Sequence, residues 1–316
     1  MAAWDARNGS IQDLPNNVDV VSSRSVDGGV TWSPPTVLSG HTGGYTQATA
    51  NGSGDCCLLT DPATGRVFAH YLYAPAGVGY GNSGPGLTNT VRPQCRWSDD
   101  DGVSWSTPVD LTAVLKTSDM LGIFATSGHG WVTADGTLCV PYSFASTAGS
   151  GGFVAYSVDH GVTWVRSAVL SEGAPGEFHG VQVADGSLLV SARPPTGSGR
   201  LFYTAATLEG PWIFTPRPDL PDPSCNGDLI RVDGDGTARE SWLLASGCAS
   251  SGSRSNLTVW LSKDSGVSWS AWRVFDGFAA YSTLVWVEGD VWGVFWEDNT
   301  HGDLKFTRFN IDRLEG

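Results

Sequence analysis

The chain has 316 residues and carries a formal net charge of −14 at pH 7. This acidic balance argues against nucleic acid as a partner, because phosphate binding needs a basic surface. The sequence has no run of about 18 apolar residues, so it predicts no membrane-spanning helix. Abundant glycine and aromatic residues, without a long amphipathic helical pattern, indicate an all-β protein with many turns.

A phrase of the form Ser-x-Asp-x-Gly-x-Thr/Ser-Trp, here called the box, recurs along the chain. Complete copies start at Ser25, Ser98, Ser157 and Ser262, and a degenerate copy occupies residues 208–212. Within a box, the Asp can accept hydrogen bonds from backbone N–H groups and the Gly permits a positive φ. We expect the Trp to bury its ring beneath the turn. Repetition of this kind indicates a repeat protein.

Each repeat predicts four strands, with a turn between the first and second and the box between the third and fourth. The predicted first-to-second turns lie at residues 63–65, 134–136, 184–186, 233–236 and 288–290. Five box-bearing units and a sixth without a box, residues 281–310, predict a six-bladed β-propeller of four-stranded antiparallel blades. Because the repeats run to the C-terminus, we expect residues 1–316 to form a single domain.

The first unit is incomplete in this interpretation. Residues 1–7 correspond to the second strand of later units, and residues 308–311 are interpreted as the fourth-strand region of the sixth unit. We therefore expect that the first strand of blade one is missing and that the sequence is truncated at its N-terminus. Residues 1–5 do not resemble a signal peptide.

Six cysteines are present. Cys225 and Cys248 flank one predicted hairpin and are the best candidates for a disulfide. Buried free thiols are the alternative, and the sequence leaves both open.

The loops opposite the boxes are the expected place for function. In an antiparallel meander, the second-to-third-strand loops and the links between blades share one face, and binding sites commonly use loops on a rigid scaffold. Seven residues of that face stand out by their chemistry: Asp13, Asp55, Glu177, Arg193, Arg254, Tyr281 and Glu297. Each alone is more simply a solvated charge or a packing side chain. Two Arg, one Tyr and several carboxylates on one rim favour a binding site.

In these residues the chain resembles the sialidases (exo-α-neuraminidases) of the bacterial and animal type, which are six-bladed propellers with Asp boxes. The matches keep the family's order: Asp13 in an early loop, Glu177 sixteen residues before Arg193, Arg254 before the last box, and Tyr281 in a Tyr-Ser-Thr-Leu phrase. The resemblance covers essentially the whole chain. It implies an exo-sialidase, a retaining glycoside hydrolase that removes terminal α-linked sialic acid from oligosaccharides, glycoproteins or glycolipids.

The resemblance also implies a role for the matched residues. Arg193 and Arg254 bind the sialic acid carboxylate, because guanidinium forks bind carboxylates bidentately. A carboxylate nucleophile would be repelled by that group, so Tyr281 is the nucleophile and Glu177 is its base. Asp13 protonates the leaving oxygen and then activates water.

Two further matches concern substrate binding. Asp55 contacts the substrate ring or its N-acyl group, or instead orients the acid. The family has three carboxylate-binding Arg, and the first stands in an Arg-Ile-Pro phrase on the strand that this sequence is expected to lack. Glu297 matches the Glu that braces that Arg. Losing one charge-assisted contact of about 1.5–3 kcal/mol would weaken transition-state binding by roughly ten- to a few hundred-fold.

Two alternative functions stay open. One is a non-catalytic Asp-box propeller that binds sialylated glycans, and the other is a trans-sialidase. The implied mechanism requires no metal and no cofactor. We expect a monomer, and the resemblance implies a secreted or cell-surface protein.

Overall fold

The computed structural model describes residues 1–42, 49–232, 239–298 and 302–314. These residues are nearly all in strands and turns. The chain divides into two compact units, one formed by Met1–Val26 with Thr31–Ser167 and the other by Asp27–Val30 with Ala168–Gly316. No helix in the described ranges is long and apolar enough to cross a bilayer.

The first unit contains three sheets. The first sheet has the order β1 (Ala2–Arg7), β2 (Val18–Ser23) and β3 (Thr36–Ser39). The second joins β4 (Gly52–Thr60), β5 (Val67–Ala74), β6 (Arg92–Ser98) and β7 (Val109–Asp110), and its edge pairs in parallel with β9 (Gly128–His129). The third joins β8 (Met120–Ala125) and β10 (Trp131–Val132) to β11 (Leu138–Ser146), followed by β12 (Gly149–Ser157) and β13 (Val165–Arg166). Short helices occupy Tyr80–Asn82 and α1 (Thr112–Leu115).

The second unit also contains three sheets. The fourth sheet has the order β14 (Phe178–Gln182), β15 (Leu188–Ala192), β16 (Ser198–Ala205) and β17 (Ile213–Asp222). The fifth has the order β18 (Asp228–Arg231), β19 (Leu243–Cys248), β20 (Ser255–Ser262) and β21 (Ser270–Phe278). The sixth has the order β22 (Ser282–Glu288), β23 (Val291–Asp298) and β24 (Asp303–Asn310), followed by a 3₁₀ helix at Ile311–Leu314.

These six sheets confirm the predicted six-bladed β-propeller. Blades four and five have four antiparallel strands each, as predicted. Within the described residues, blades one and six have three strands and blades two and three have five. Strands in the middle of a blade are buried on both faces, as in β15, where every residue is buried. Such strands pack against neighbouring sheets on either side.

The predicted turns at residues 63–65, 134–136 and 184–186 each lie between two paired strands. The turn predicted at 288–290 joins β22 to β23 and begins at the last residue of β22. Gly65, Gly136 and Gly186 have φ values of 75°, 88° and 88°, a left-handed conformation that a β-carbon disfavours. The turn predicted at residues 233–236 lies outside the described residues.

The box that starts at Ser157 shows how these turns are closed. The Ser157 hydroxyl donates to Asp159 Oδ1 at 2.7 Å, and the Gly161 N–H donates to Ser157 Oγ at 2.9 Å. The Thr163 hydroxyl and N–H both donate to Asp159, at 2.6 and 2.9 Å. These bonds, that of the Thr163 hydroxyl first, lower the pKa of Asp159 to about 2. The Asp of the box therefore acts within its own turn.

The expectation for the box Trp was too general. Trp164 is buried and packs edge-on against Phe68 and His70, with ring centroids 5.9 and 4.4 Å away. The rings of Trp32, Trp105 and Trp269 are only half-buried. The turn motif determines the position of the Trp in the chain, but the burial of its ring depends on the neighbouring strands.

Two other expectations are settled by the structure. Arg308, Phe309 and Asn310 end β24, which pairs with β23 as the third strand of its sheet, so the fourth-strand interpretation was wrong. The interpretation failed because β24 follows β23 directly in the chain and pairs with it as a hairpin. All six cysteines, including Cys225 and Cys248, are buried thiols outside any disulfide, the second of the two alternatives.

The first box contributes a segment to the second unit. Asp27–Val30 belongs to that unit, although the residues on both sides of it belong to the first. Gly28 and Gly29 have φ values of 68° and 83°. A β-carbon on Gly29 would lie 2.1 Å from a ring carbon of Phe306, so glycine is required for this close contact.

Candidate active site

The second unit brings three of the predicted site residues into direct contact. Glu177 lies immediately before β14, Arg193 immediately after β15 and Tyr281 immediately before β22. The Tyr281 hydroxyl donates to Glu177 Oε2 at 2.7 Å. Arg193 Nη1 donates to the same Oε2 at 2.6 Å and to the Tyr281 oxygen at 3.1 Å. A phenol, a carboxylate and a guanidinium therefore form one hydrogen-bonded triangle.

Burial and ion pairing shift the pKa of the Glu177 carboxyl in opposite directions. The residue is 3% exposed, and its removal from water raises the pKa of the carboxyl above its ordinary value. Arg193 and the Tyr281 hydroxyl offset part of that effect. Burial would lower the pKa of Arg193, but the facing Tyr281 and Glu177 raise it above its ordinary value. Arg193 therefore stays charged beside a carboxylate that holds protons more readily than an exposed one.

Arg254 and Glu297 complete the surroundings of Tyr281. Arg254 lies immediately before β20, and its guanidinium carbon is 5.5 Å from the centroid of the Tyr281 ring, a cation–π distance. Glu297, near the end of β23, accepts from the Tyr281 N–H through Oε2 at 3.4 Å. Two guanidinium groups beside one phenol favour an anionic ligand.

Asp13 lies in the first unit, in the loop between β1 and β2 where the sequence predicts it. Its side chain is 86% exposed. Arg7 Nη2 donates to Asp13 Oδ1 at 2.7 Å, and Asn16 Nδ2 donates to the Asp13 carbonyl at 2.6 Å. The loop thus presents a carboxylate to solvent with a cation at its side.

Asp55 lies inside β4, whereas the sequence interpretation placed it before that strand. It has a φ of 53° at an irregularity where the pairing register shifts between Gly54 and Cys57. Its N–H donates to Asp5 Oδ1 at 3.1 Å, and Ser127 Oγ donates to Asp55 Oδ1 at 3.2 Å. The strand continues through the irregularity because Asp tolerates the left-handed region better than most residues.

Sequence reasoning missed Ser224. Arg193 Nε donates to Ser224 Oγ at 3.2 Å, and Ser224 has a φ of 67°. A buried ion pair between Arg200 Nη1 and Asp222 Oδ2, 2.7 Å long, fixes the adjoining segment, and Arg200 also donates to the Cys225 carbonyl at 3.1 Å. The Asp-Pro-Ser-Cys sequence predicts a turn there. It does not indicate which side chain the turn supports.

The BNR repeat-like domain family matches residues 1–292. A sialidase of Micromonospora viridifaciens is 32% identical over an alignment that covers 100% of this chain and 50% of that protein. A sialidase of Bacteroides fragilis is 31% identical over 85% of this chain and 51% of that protein. The chain therefore spans about half the length of these two relatives.

Solved structures give the same fold. A Hadza microbial sialidase superposes with a TM-score of 0.90 and 26% identity, covering 99% of this chain and 63% of that chain. The intramolecular trans-sialidase of Ruminococcus gnavus, in complex with oseltamivir carboxylate, superposes with a TM-score of 0.85 and 19% identity, covering 99% of this chain and 92% of that one. At that identity the second similarity concerns the fold alone.

Proposed function

Because the chain belongs to the BNR repeat-like domain family, we propose that it is an exo-sialidase that hydrolyses terminal α-linked sialic acid with retention. The observation that carries the proposal is the 2.7 Å hydrogen bond from the Tyr281 hydroxyl to Glu177, with Arg193 bonded to both groups. The chain spans about half the length of the Micromonospora and Bacteroides sialidases, so the activity of residues 1–316 is a proposal.

Tyr281 is the nucleophile in this proposal. Its oxygen attacks the anomeric carbon while Glu177 takes the phenol proton, and water later hydrolyses the tyrosyl-enzyme intermediate. Burial raises the pKa of Glu177, so it accepts that proton more readily than an exposed carboxylate. Arg193 Nη1, 3.1 Å from the phenol oxygen, favours the negative charge that develops there.

Arg193 and Arg254 bind the carboxylate of the sugar. Both flank Tyr281, one through a hydrogen bond to its oxygen and one over its ring. An anionic substrate bound between them is held next to the phenol, and a neutral nucleophile avoids the repulsion that a second carboxylate would add.

Asp13 supplies the proton to the leaving oxygen and then activates water. Its exposure and its pairing with Arg7 are compatible with a group that meets both substrate and solvent. Asp55 contacts the substrate ring or its N-acyl group, or orients the acid. Glu297 belongs to the substrate-binding set through its contact with the Tyr281 backbone.

The test is release of 4-methylumbelliferone from its sialoside. We expect Glu177→Ala to lower kcat by about 10²- to 10⁴-fold, the usual contribution of a general base, and Tyr281→Phe to lower it at least as much. Tyr203→Phe is the matched control, since it removes the hydroxyl of a buried tyrosine that donates to the Glu172 carbonyl, outside the triangle of Glu177, Arg193 and Tyr281. Undiminished turnover in both site variants contradicts the proposed roles.

The substrate setting is part of the same proposal. We propose sialylated oligosaccharides, glycoproteins or glycolipids as substrates, and a monomeric protein at a secreted or cell-surface location. Added lactose distinguishes hydrolysis from transfer: a sialyllactose product identifies a trans-sialidase, and free sialic acid identifies a hydrolase. Binding of a sialoside without either product indicates a glycan-binding propeller.

A further inference from the structure

Asp228 is a buried carboxylate with no place in the roles above. It begins β18 and is 1% exposed. The Leu284 N–H donates to Oδ2 at 2.6 Å, and the Thr283 hydroxyl donates to the same oxygen at 3.0 Å. The Leu229 N–H donates to Oδ1 at 2.7 Å. Burying a carboxylate is costly unless such donors satisfy it, so removing this one disturbs every group that donates to it.

The donors of Asp228 adjoin Tyr281. Thr283 and Leu284 are the second and third residues after Tyr281, at the start of β22. A second bond in this segment joins the hydroxyl of Ser282 to that of Ser246, with 2.9 Å between the oxygens. The start of β22 is therefore fixed to β18 and to β19, and a shift there moves the phenol.

The other side of Asp228 contacts β14, the strand that begins immediately after Glu177. His179 Nδ1 lies 3.4 Å from Asp228 Oδ1, and both side chains are 0% exposed. His179 is two residues after Glu177 and is the second residue of β14. Asp228 therefore contacts the strand that follows Glu177 and the strand that follows Tyr281.

We propose that Asp228 is a positioning residue that holds Tyr281 and Glu177 at proton-transfer distance by joining β14 and β22 through β18. This inference rests on the proposed sialidase function and adds a residue to it. Asp228 acts through the two strands, because it accepts hydrogen bonds from Thr283 and Leu284 of β22 and lies 3.4 Å from His179 of β14. Loss of the Asp228 carboxylate displaces Tyr281 and Glu177 more than it displaces Arg193 and Arg254. We therefore expect kcat to fall while KM changes little.

Asp228→Asn is the test variant because it keeps the shape of the side chain. An amide NH₂ cannot accept a hydrogen bond, so at least one of the backbone N–H groups of Leu229 and Leu284 loses its acceptor. We expect kcat to fall about 10- to 100-fold, the size typical of misplaced reacting groups. We expect KM to stay within about threefold, since the two guanidinium groups keep their own positions.

Asp61→Asn is a matched control in the first unit. Asp61 is also 1% exposed and accepts from the same types of donor: the Ala63 N–H at 2.9 Å, the Thr64 hydroxyl at 2.7 Å and His160 Nδ1 at 2.9 Å. It adjoins none of the site residues in sequence. Asp61→Asn should therefore lower Tm to a similar extent while leaving kcat unchanged.

A readout without turnover separates this inference from the proposed function. The ionisation of Tyr281 is obtained from near-ultraviolet pH titrations as the difference between each protein and its Tyr281→Phe counterpart. We expect Asp228→Asn to shift that midpoint and Asp61→Asn to leave it unchanged. If the parent protein hydrolyses no sialoside but the midpoint shifts, the proposed function fails and the positioning role stands.

Thr283 supplies a milder pair of variants should Asp228→Asn fail to fold. Thr283→Val removes one hydroxyl donor and is expected to lower kcat by about two- to tenfold, with the midpoint shifted in the same direction. Thr283→Ser keeps the hydroxyl, so we expect kcat and the midpoint of the Tyr281 titration to match those of the parent protein. The positioning role is overturned if the midpoint is unchanged in Asp228→Asn and in Thr283→Val, or if Asp61→Asn lowers kcat as much as Asp228→Asn does.

Discussion

Glu177 shows how the surroundings of one side chain set its chemistry. Burial raises the pKa of its carboxyl, and Arg193 limits that rise while holding the group against Tyr281. Only the ionised carboxylate can take the phenol proton. The proposed base therefore works over a pH range that is displaced upward from that of an exposed glutamate.

The pH dependence of kcat/KM follows from this shift. Because Glu177 is protonated below its pKa, activity rises as the pH increases through that value, and we expect the midpoint of the acidic limb above 4.5, the ordinary carboxyl value. Initial rates on the sialoside across the acid range give the midpoint. A limb centred at or below 4.5 contradicts the assignment of this carboxylate as the base.

Arg193 tests whether charge or geometry matters beside Tyr281. Arg193→Lys keeps the positive charge but loses the planar fork that bonds Glu177, Tyr281 and Ser224. We expect kcat/KM to fall roughly ten- to a hundredfold, the equivalent of about 1.5–3 kcal/mol for one lost bond to a charged group. Arg273→Lys, on the exposed side of β21, serves as the control for the exchange itself. Equal kinetics in Arg193→Lys and the parent would argue for a purely electrostatic role.

The box is the element that organises the blades, and its Asp acts on its own turn. Asp159 accepts bonds from Ser157 and Thr163, while His160 and Gly161 take left-handed φ values of 58° and 80°. Loss of the carboxylate leaves His160, a non-glycine residue in a left-handed conformation, without the bonds that hold its turn. The element therefore contributes to stability, and the site depends on it only through the strands it joins.

Asp159→Ala is expected to lower Tm by about 1–2 °C, the shift that about 1 kcal/mol produces in a chain of 316 residues. The pKa of Asp159 is lowered to about 2, so its contribution is complete above its ordinary value of 3.8 and is lost as the pH falls through about 2. The Tm difference between parent and variant should shrink over that interval. Asp276→Ala is the control, because its 89% exposed carboxylate forms a surface ion pair with Arg273, and such pairs contribute little to stability. A constant difference down to pH 2 contradicts this account.

At the scale of the whole molecule, the phase of the repeats predicts one domain, and the chain divides into two compact units. We propose that residues 1–316 unfold as a single unit, because the segment Asp27–Val30 makes the second unit depend on chain from within the first. Differential scanning calorimetry is expected to give one transition whose calorimetric and van't Hoff enthalpies agree. Two resolved transitions would contradict the proposal of a single domain.

The sequence predicted most of the architecture because its signals are local. Turn residues, strand alternation and the repeated box each act within a few residues, and together they specify six blades. The order of Glu177, Arg193, Arg254 and Tyr281 predicted a site on one face, and the second unit brings these four together. Their catalytic roles stay predictions.

The failures have a common physical origin in tertiary contacts. Nothing near Asp228 or Ser224 in sequence marks them as supports of Tyr281 and Arg193, since their partners lie on other strands. The position of Asp55 was wrong because a strand can pass through an irregularity without ending. Coverage of a Trp ring likewise depends on which strands happen to adjoin it.

The glycine pair at positions 28 and 29 has a practical consequence for dissecting the gene. A polypeptide that starts at Ala168 carries Phe306 but not Gly29, so the ring loses the backbone that packs on it. Expression of that half alone is expected to yield an aggregation-prone product with an uncovered aromatic face. Split reporters or swapped halves need a junction that keeps the short N-terminal loop with its distant aromatic partner.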